Sequence, residues 1–159
     1  MKALITYFTM GGRTRRAAKA IASSLTNYEV EFFGIECEGR FIERIKMLDK
    51  FEKDDFSVVE EGLSKLDAAN YDLIVIGMPT YGGKTPNALN EILKRMKNLN
   101  GKKVATYTTA RFSGGKALVY MNDKVEAAGG KIAHKTKITR PFYLGKRKAA
   151  KFGAEINEL

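Results

Sequence analysis

Residues 3–14 read Ala3-Leu4-Ile5-Thr6-Tyr7-Phe8-Thr9-Met10-Gly11-Gly12-Arg13-Thr14, an apolar run that ends in a loop of glycine, threonine and arginine. Apolar residues at helical spacing follow directly, from Ala17 to Leu25. The apolar run shows little alternation, which is typical of a strand that is buried on both faces. The stretch therefore predicts a buried strand, a glycine-rich turn and an amphipathic helix in succession.

The same succession recurs along the chain. Apolar runs at 73–78 and 104–107 each lead into a glycine-rich loop and then into apolar residues at helical spacing. A further strand is predicted between Val30 and Ile35, and a more polar, alternating one at 131–138 that suits the edge of a sheet. Because parallel strands need crossover connections, this repetition predicts an α/β fold: an open, doubly wound, five-stranded parallel sheet with helices on both faces.

The length of the chain fits one domain, residues 1–159, with a core that buries about two-thirds of the unfolded surface. One crossover, at about 36–67, is enlarged and is the only acidic segment. It contains a charged amphipathic helix within 39–55 and a short helix around Leu63 and Leu66. This segment is interpreted as cover for the sheet, with a partner-binding or dimer face as the alternative, so the chain is expected to be a monomer or a homodimer.

Composition argues against a disordered, a collagen-like or a disulfide-scaffold protein. Hydrophobic residues make up 44% and charged residues 29% of the chain, which is ordinary globular usage. Cys37 has no second cysteine with which to form a disulfide, which favours a reducing compartment. The longest apolar runs are far shorter than the roughly 20 residues needed to cross a bilayer. We expect a soluble, cytoplasmic protein with no membrane partner.

The loops that follow the first, third and fourth predicted strands should meet, because ligands of open α/β sheets bind beyond the carboxyl ends of the strands. In the first of them, Gly11 and Gly12 allow a tight turn, and the threonine hydroxyls lie beside the amide groups of a helix start. This combination favours a phosphate. Simple N-capping of the helix by Thr9 or Thr14 is the alternative.

Three motifs in order carry a resemblance to a known family. They are Thr9-x-x-Gly12-x-Thr14, Gly77-Met78-Pro79-Thr80-Tyr81-Gly82-Gly83 and the loop at 108–115. Together they resemble the flavin loops of the flavodoxin family, in its short form and over essentially the whole chain. The resemblance implies FMN as the cofactor and a strand order of 2-1-3-4-5.

The resemblance also implies which residues hold FMN. Six residues of the first loop would enclose the ribityl phosphate: Thr9, Met10, Gly11, Gly12, Arg13 and Thr14. Two later groups would flank the isoalloxazine: Pro79, Thr80, Tyr81, Gly82 and Gly83, and then Thr108, Thr109, Ala110, Arg111, Phe112, Ser113 and Gly114. Tyr81 and Phe112 are the candidates to lie against the ring, since aromatic faces pack well on it.

The chain departs from the family in its charge. Its formal net charge is +10, whereas electron-carrying flavodoxins are typically acidic, and Arg13 stands where the family's loop has a small polar residue. Such a balance favours an acidic partner or an anionic ligand. Five cations near the end of the chain, at 140, 146, 147, 148 and 151, are interpreted as a docking surface for an acidic redox protein, and no specific nucleic acid is expected because its recognition motifs are missing.

The resemblance implies an electron-transfer protein that carries electrons between protein partners. Two alternatives stay open: a flavin-dependent NAD(P)H:quinone-type reductase, and a basic adaptor without redox activity on the same fold. No catalytic residue is identified in the chain. No metal site is expected either, because His134 is the only histidine and lies in an alternating, basic strand.

Overall fold

The computed structural model describes residues 1–139 and 145–159. Five strands form one sheet in which every neighbouring pair is parallel: β1 Lys2–Thr9, β2 Glu29–Glu36, β3 Leu73–Pro79, β4 Lys103–Ala110 and β5 Lys131–Thr139. Their order is β2-β1-β3-β4-β5, which confirms the predicted fold class. The more polar β5 lies at one edge, as its alternating pattern indicated.

Helices cover both faces of the sheet. Six are described: α1 Arg13–Ala22, α2 Phe41–Glu52, α3 Glu60–Ser64, α4 Ala88–Arg95, α5 Ala117–Ala127 and α6 Lys146–Asn157. Ile21 of α1 and Phe152 of α6 belong to the core on one face, and Leu89 of α4 and Met121 of α5 to the core on the other. All seven residues of β3 are buried, as expected for the central strand of a sheet covered on both sides.

The enlarged crossover packs against the second of these faces. Phe51, near the end of α2, is completely buried, stacks on Phe56 at 5.1 Å and meets Phe8 of β1 edge-on at 5.9 Å. This packing agrees with the interpretation of the segment as cover for the sheet. At the other end of α2, Phe41 and Ile42 are exposed. The assignment of residues 1–159 to a single domain stays a prediction.

Two sequence-based expectations concern the surface and the surroundings of the protein. None of the helices in the described part of the chain is long and apolar enough to cross a membrane. The cytoplasmic location stays a prediction. Of the five cations near the end of the chain, Arg140 lies outside the described residues, and the other four, Lys146, Arg147, Lys148 and Lys151, are exposed on α6. That these cations dock an acidic redox protein stays a prediction.

Candidate functional site

A cavity of about 650 Å³ opens where the loops after β1, β3 and β4 meet at the carboxyl edge of the sheet. The structure brings together all of the predicted site residues except Gly12 and Thr108. The cavity is lined by Thr9, Met10, Gly11, Arg13, Thr14, Arg16, Pro79, Thr80, Tyr81, Gly82, Gly83, Thr109, Ala110, Arg111, Phe112, Ser113, Gly114 and Gly115. Three segments widely separated in the sequence therefore form one site.

The first loop turns sharply into α1. Gly12 is the N-cap residue and has a φ of 79°, a left-handed conformation that favours glycine. Its N–H donates to the Thr9 hydroxyl at 2.9 Å, so Thr9 holds the turn. Gly12 has no side chain with which to cap α1, and within the described part of the chain the Thr9 hydroxyl accepts from Gly12 itself rather than from an amide group of the first helical turn. The helix start directs the positive end of its dipole toward the cavity.

The base of the cavity is tied together by buried hydroxyl groups. Thr14, in the first turn of α1, lies 2.9 Å from Thr109 of β4, measured between their hydroxyl oxygens. Tyr107 of β4 donates from its hydroxyl to the Thr14 backbone carbonyl at 3.1 Å. The start of α1 is therefore fixed to the strand from which the third loop begins.

The loop after β3 forms a tight turn. The N–H of Tyr81 donates to the Lys84 carbonyl at 2.9 Å, and the N–H of Lys84 donates back at 3.0 Å. Gly82 and Gly83 occupy the turn with positive φ values of 56° and 81°, a left-handed region that favours glycine. The Thr80 N–H donates to the Thr109 carbonyl at 2.8 Å, and this bond fastens the loop to β4.

Tyr81 spans the space between the first two loops. Burial, with a smaller contribution from Cys37, raises the pKa of its hydroxyl to about 12, while a hydrogen bond with the Met10 backbone acts in the opposite direction. The Tyr81 phenol is therefore neutral at physiological pH. Whether its ring contacts the flavin stays a prediction.

The loop after β4 is short and partly exposed. Residues 111–116 alone connect β4 to α5, and Phe112 within them is 74% exposed. Lys137 of β5 donates from its ammonium group to the Gly115 carbonyl at 2.8 Å. This bond anchors the far end of the loop to the edge strand.

The cavity is positively charged. Among the described residues, its lining holds three arginines, Arg13, Arg16 and Arg111, and no carboxylate. Burial and then the positive charges of Arg111 and Arg16 lower the pKa of Arg13, so both of these arginines repel the Arg13 guanidinium group. An anion among them relieves that repulsion, and a phosphate accepts hydrogen bonds from arginine especially well.

A second feature fits a polar ligand. The Thr80 hydroxyl oxygen is buried in the wall of this cavity and has no hydrogen-bond partner within the described part of the chain. A buried hydroxyl without a partner costs about 1–3 kcal/mol, which a ligand with polar edges recovers. The residues present therefore fit a group with an anionic end and a flat, hydrogen-bonding body, such as FMN.

Two predicted residues lie outside the cavity. Gly12 lines a neighbouring cavity of about 260 Å³, together with Cys37 and Arg44. Thr108 is buried in β4, on the opposite face of the sheet from Thr109, because successive strand residues alternate in direction.

Two lining residues of the cavity, Arg16 and Gly115, were not among the predicted site residues. Arg16 lies one helical turn after Arg13, so the three-residue spacing could have identified it. Gly115 lies in the predicted loop at 108–115, one position beyond the last residue that was assigned to the site. Lys137 contacts this loop from β5 without lining the cavity, and it could not have been identified, because its contact depends on the register between β4 and β5.

No group of acidic, histidine or cysteine side chains in residues 1–139 and 145–159 could hold a metal ion. His134 instead approaches Glu155 of α6 at 2.9 Å and stacks on Phe152. Its contacts are those of a structural residue between β5 and α6.

The parallel sheet in the order 2-1-3-4-5, with a glycine-rich loop leading into α1, defines a protein of the flavodoxin-like class. The sequence profile of NADPH-dependent FMN reductases matches residues 3–132, and the chain belongs to that family. This result confirms the predicted flavodoxin-like, FMN-binding family. None of the curated proteins matches the sequence.

Solved structures of similar fold cover nearly the whole chain. A flavodoxin from the domain Archaea is 18% identical, with 99% of this chain and 97% of that chain covered and a TM-score of 0.63. The two-electron reduced flavodoxin of Megasphaera elsdenii is 15% identical, with 99% of each chain covered and a TM-score of 0.60. A flavoprotein from Lactobacillus acidophilus NCFM in complex with FMN is 21% identical, with 86% and 92% covered and a TM-score of 0.60.

Proposed function

We propose that the protein binds FMN in the cavity at the carboxyl edge of the sheet and carries electrons one at a time between protein partners. The observation that carries this proposal is the cationic start of α1 facing two glycine-rich loops across one open cavity. The family to which the chain belongs and the FMN complex of the Lactobacillus acidophilus relative support FMN as the ligand.

The phosphate of FMN fits at the start of α1. Amide groups of the first helical turn lack acceptors within a helix and attract anions. Arg16 adds a positive charge from the same helix, and the Thr14 hydroxyl adds a polar contact. These residues would bind the anionic end of the cofactor and set the position of the rest.

The ring system fits between the two later loops. The Thr80 hydroxyl offers an unused polar atom, and Phe112 offers an aromatic face at the mouth of the cavity. When bound, FMN supplies the electron-transfer chemistry, because flavins accept and donate electrons. The protein contributes binding, orientation and electrostatics.

The short loop after β4 favours electron transfer through an exposed edge. Six residues between β4 and α5 offer little room for a second substrate beside the ring. The exposure of Phe112 keeps this side open to solvent. A protein partner can therefore approach the mouth of the cavity directly.

An NAD(P)H-dependent reductase is the second candidate, and the description of the family favours it. The two functions differ in whether the protein turns over a nicotinamide without a protein partner. The FMN-loaded protein is mixed with NADPH and a soluble quinone, and the nicotinamide absorbance is followed, with the same concentration of free FMN as the control.

An electron carrier consumes NADPH no faster than the free-FMN control. Sustained, quinone-dependent oxidation of NADPH well above that control would overturn the carrier and establish the reductase. A protein that takes up no FMN at all would match the third alternative, a basic adaptor without redox activity.

A further inference from the structure

A groove of about 490 Å³ lies directly beside the cavity and shares Gly83 with it. It runs between Lys84 of the β3 loop and the start of α5, where Lys116, Val119 and Tyr120 line it. The lining of the candidate FMN site includes none of the four residues Lys84, Lys116, Val119 and Tyr120. The groove is thus a separate surface at the mouth of the cavity.

Apolar side chains are exposed along this surface. Val119 is 57% exposed and Tyr120 41% exposed, and the exposed Phe112 precedes them in the chain at the mouth of the neighbouring cavity. Single exposed apolar residues are common. Val119 and Tyr120, however, line one groove, and Phe112 lines the cavity beside it. Exposed aromatic residues are enriched in protein interfaces. Aromatic residues also dominate the binding energy of such interfaces.

Positive charges line both the groove and the cavity beside it. Lys84, Arg111 and Lys116 are all exposed, and Asp123 is the one carboxylate that lines the groove. The cavity next to it has cations and no carboxylate in its lining. A surface of this composition attracts acidic proteins and repels basic ones, since complementary charge steers the encounter and suppresses wrong partners.

We propose that Phe112, Val119 and Tyr120, together with the cations Lys84, Arg111 and Lys116, dock an acidic redox protein against the mouth of the FMN cavity. The proposal rests on the proposed function, because docking there matters only if the cavity holds an electron donor. In the transfer, the reduced protein loses one electron and the docked partner gains it.

Cytochrome c in two charge states tests this proposal. The native protein is basic, and succinylation converts its lysine ammonium groups to carboxylates while leaving the haem as the electron acceptor. The FMN-loaded protein is reduced without oxygen and mixed with each ferric cytochrome in a stopped-flow instrument. At low salt we expect the succinylated form to react at least about tenfold faster, and we expect salt to shrink that difference.

Two double variants separate the local surface from overall charge. Lys84→Glu with Lys116→Glu reverses two charges in the groove, and Lys46→Glu with Lys131→Glu reverses two exposed charges, on α2 and at the start of β5. Both change the net charge equally. We expect the first pair to lower the rate with succinylated cytochrome c about tenfold and the second pair to lower it less than about twofold.

Two kinetic outcomes would overturn the proposal: native cytochrome c reacting as fast as the succinylated form, or equal losses in the two double variants. A protein that takes up no FMN contradicts the proposed function instead. In that case, calorimetry on the FMN-free protein measures docking. Succinylated cytochrome c should bind the wild type, and it should bind the Lys84→Glu, Lys116→Glu variant more weakly. Absence of that binding, or tighter binding of a short single-stranded RNA at the same groove, would overturn the docking proposal.

Discussion

The hydroxyl oxygens of Thr14 and Thr109 lie 2.9 Å apart, both buried, although 95 residues separate them in the sequence. This pair joins the first turn of α1 to the end of β4. The packing of the core therefore sets the distance between the start of α1 and the loop after β4. We expect a site that is already formed before a ligand binds, which reduces the entropy cost of binding.

The Thr14–Thr109 pair predicts a measurable coupling. Changing either threonine to valine leaves the other hydroxyl buried without its partner, and each change should lower the free energy of unfolding by about 1–3 kcal/mol. Changing both threonines removes the two polar groups together. The free energy of unfolding of the double variant should therefore fall by less than the sum of the falls in the two single variants. Urea unfolding of the FMN-free protein measures all three. Strictly additive losses would contradict the pairing.

The turn at Gly12 predicts a difference between adjacent glycines. Gly12→Ala places an L-residue at a φ of 79° and should destabilise the protein by about 1–2 kcal/mol. Gly11→Ala is the matched control, because its added methyl group meets no atom within 4 Å and its φ is not in the left-handed region. Thermal unfolding of the FMN-free variants compares them. Equal stability of the two would show that the turn at Gly12 is not left-handed.

The cation cluster predicts a specific effect on FMN affinity. Arg16→Gln should raise the Kd for FMN about tenfold, equivalent to about 1.4 kcal/mol, because it removes a positive charge from the cavity. Lys19→Gln, one turn further along α1 and exposed, is the control and should leave the Kd within about twofold. Titration of each variant with FMN at two salt concentrations measures both Kd values. A larger effect at Lys19 than at Arg16 would refute the role of the cluster.

The positive surroundings of the cavity predict a raised potential for the second one-electron reduction of bound FMN, relative to acidic flavodoxins. A unit charge about 10 Å away contributes roughly 0.4–1.7 kcal/mol. Arg111→Ala should therefore lower this potential by roughly 20–70 mV. Lys131→Ala, at the opposite edge of the sheet, is the control and should hardly change it. Potentiometry that finds the wild-type potential as low as in acidic flavodoxins would count against this account.

Cys37 predicts a dependence of stability on pH. Burial raises the pKa of its thiol from 9.0 to about 11, although Arg44 acts in the opposite direction. Between these values the unfolded chain loses the thiol proton and the folded chain keeps it, so stability falls as pH rises through this range. Cys37→Ala should remove this part of the loss. The free energy of unfolding of the wild type and of the Cys37→Ala variant is measured at about pH 8 and about pH 10. An equal fall in the two proteins between these pH values would contradict the raised pKa.

Much of the fold could be predicted because a strand that is buried on both faces is a continuous apolar run in the sequence. The runs that became β1, β3 and β4 are apolar on both faces, and the helical spacing between them requires parallel crossovers. Since the carboxyl ends of parallel strands share one edge, the meeting of three loops also followed. The family resemblance then supplied the identity of the ligand.

The remaining features depend on contacts between distant segments. The hydrogen bond from Lys137 to the Gly115 carbonyl needs the register of β5 against β4, which includes a shift near Val104. The groove beside the cavity needs the packing of α5 next to the β3 loop. Patterns of three or four residues along the chain contain neither relationship.

Titration of the FMN-free protein with FMN, followed by the quenching of flavin fluorescence, is the most direct measurement of whether these three loops form a flavin site. We predict saturation at one FMN per chain, with an affinity that weakens as salt is added and when Arg16 is changed to Gln. Fluorescence that stays that of free FMN when the protein is in large excess would contradict the central claim.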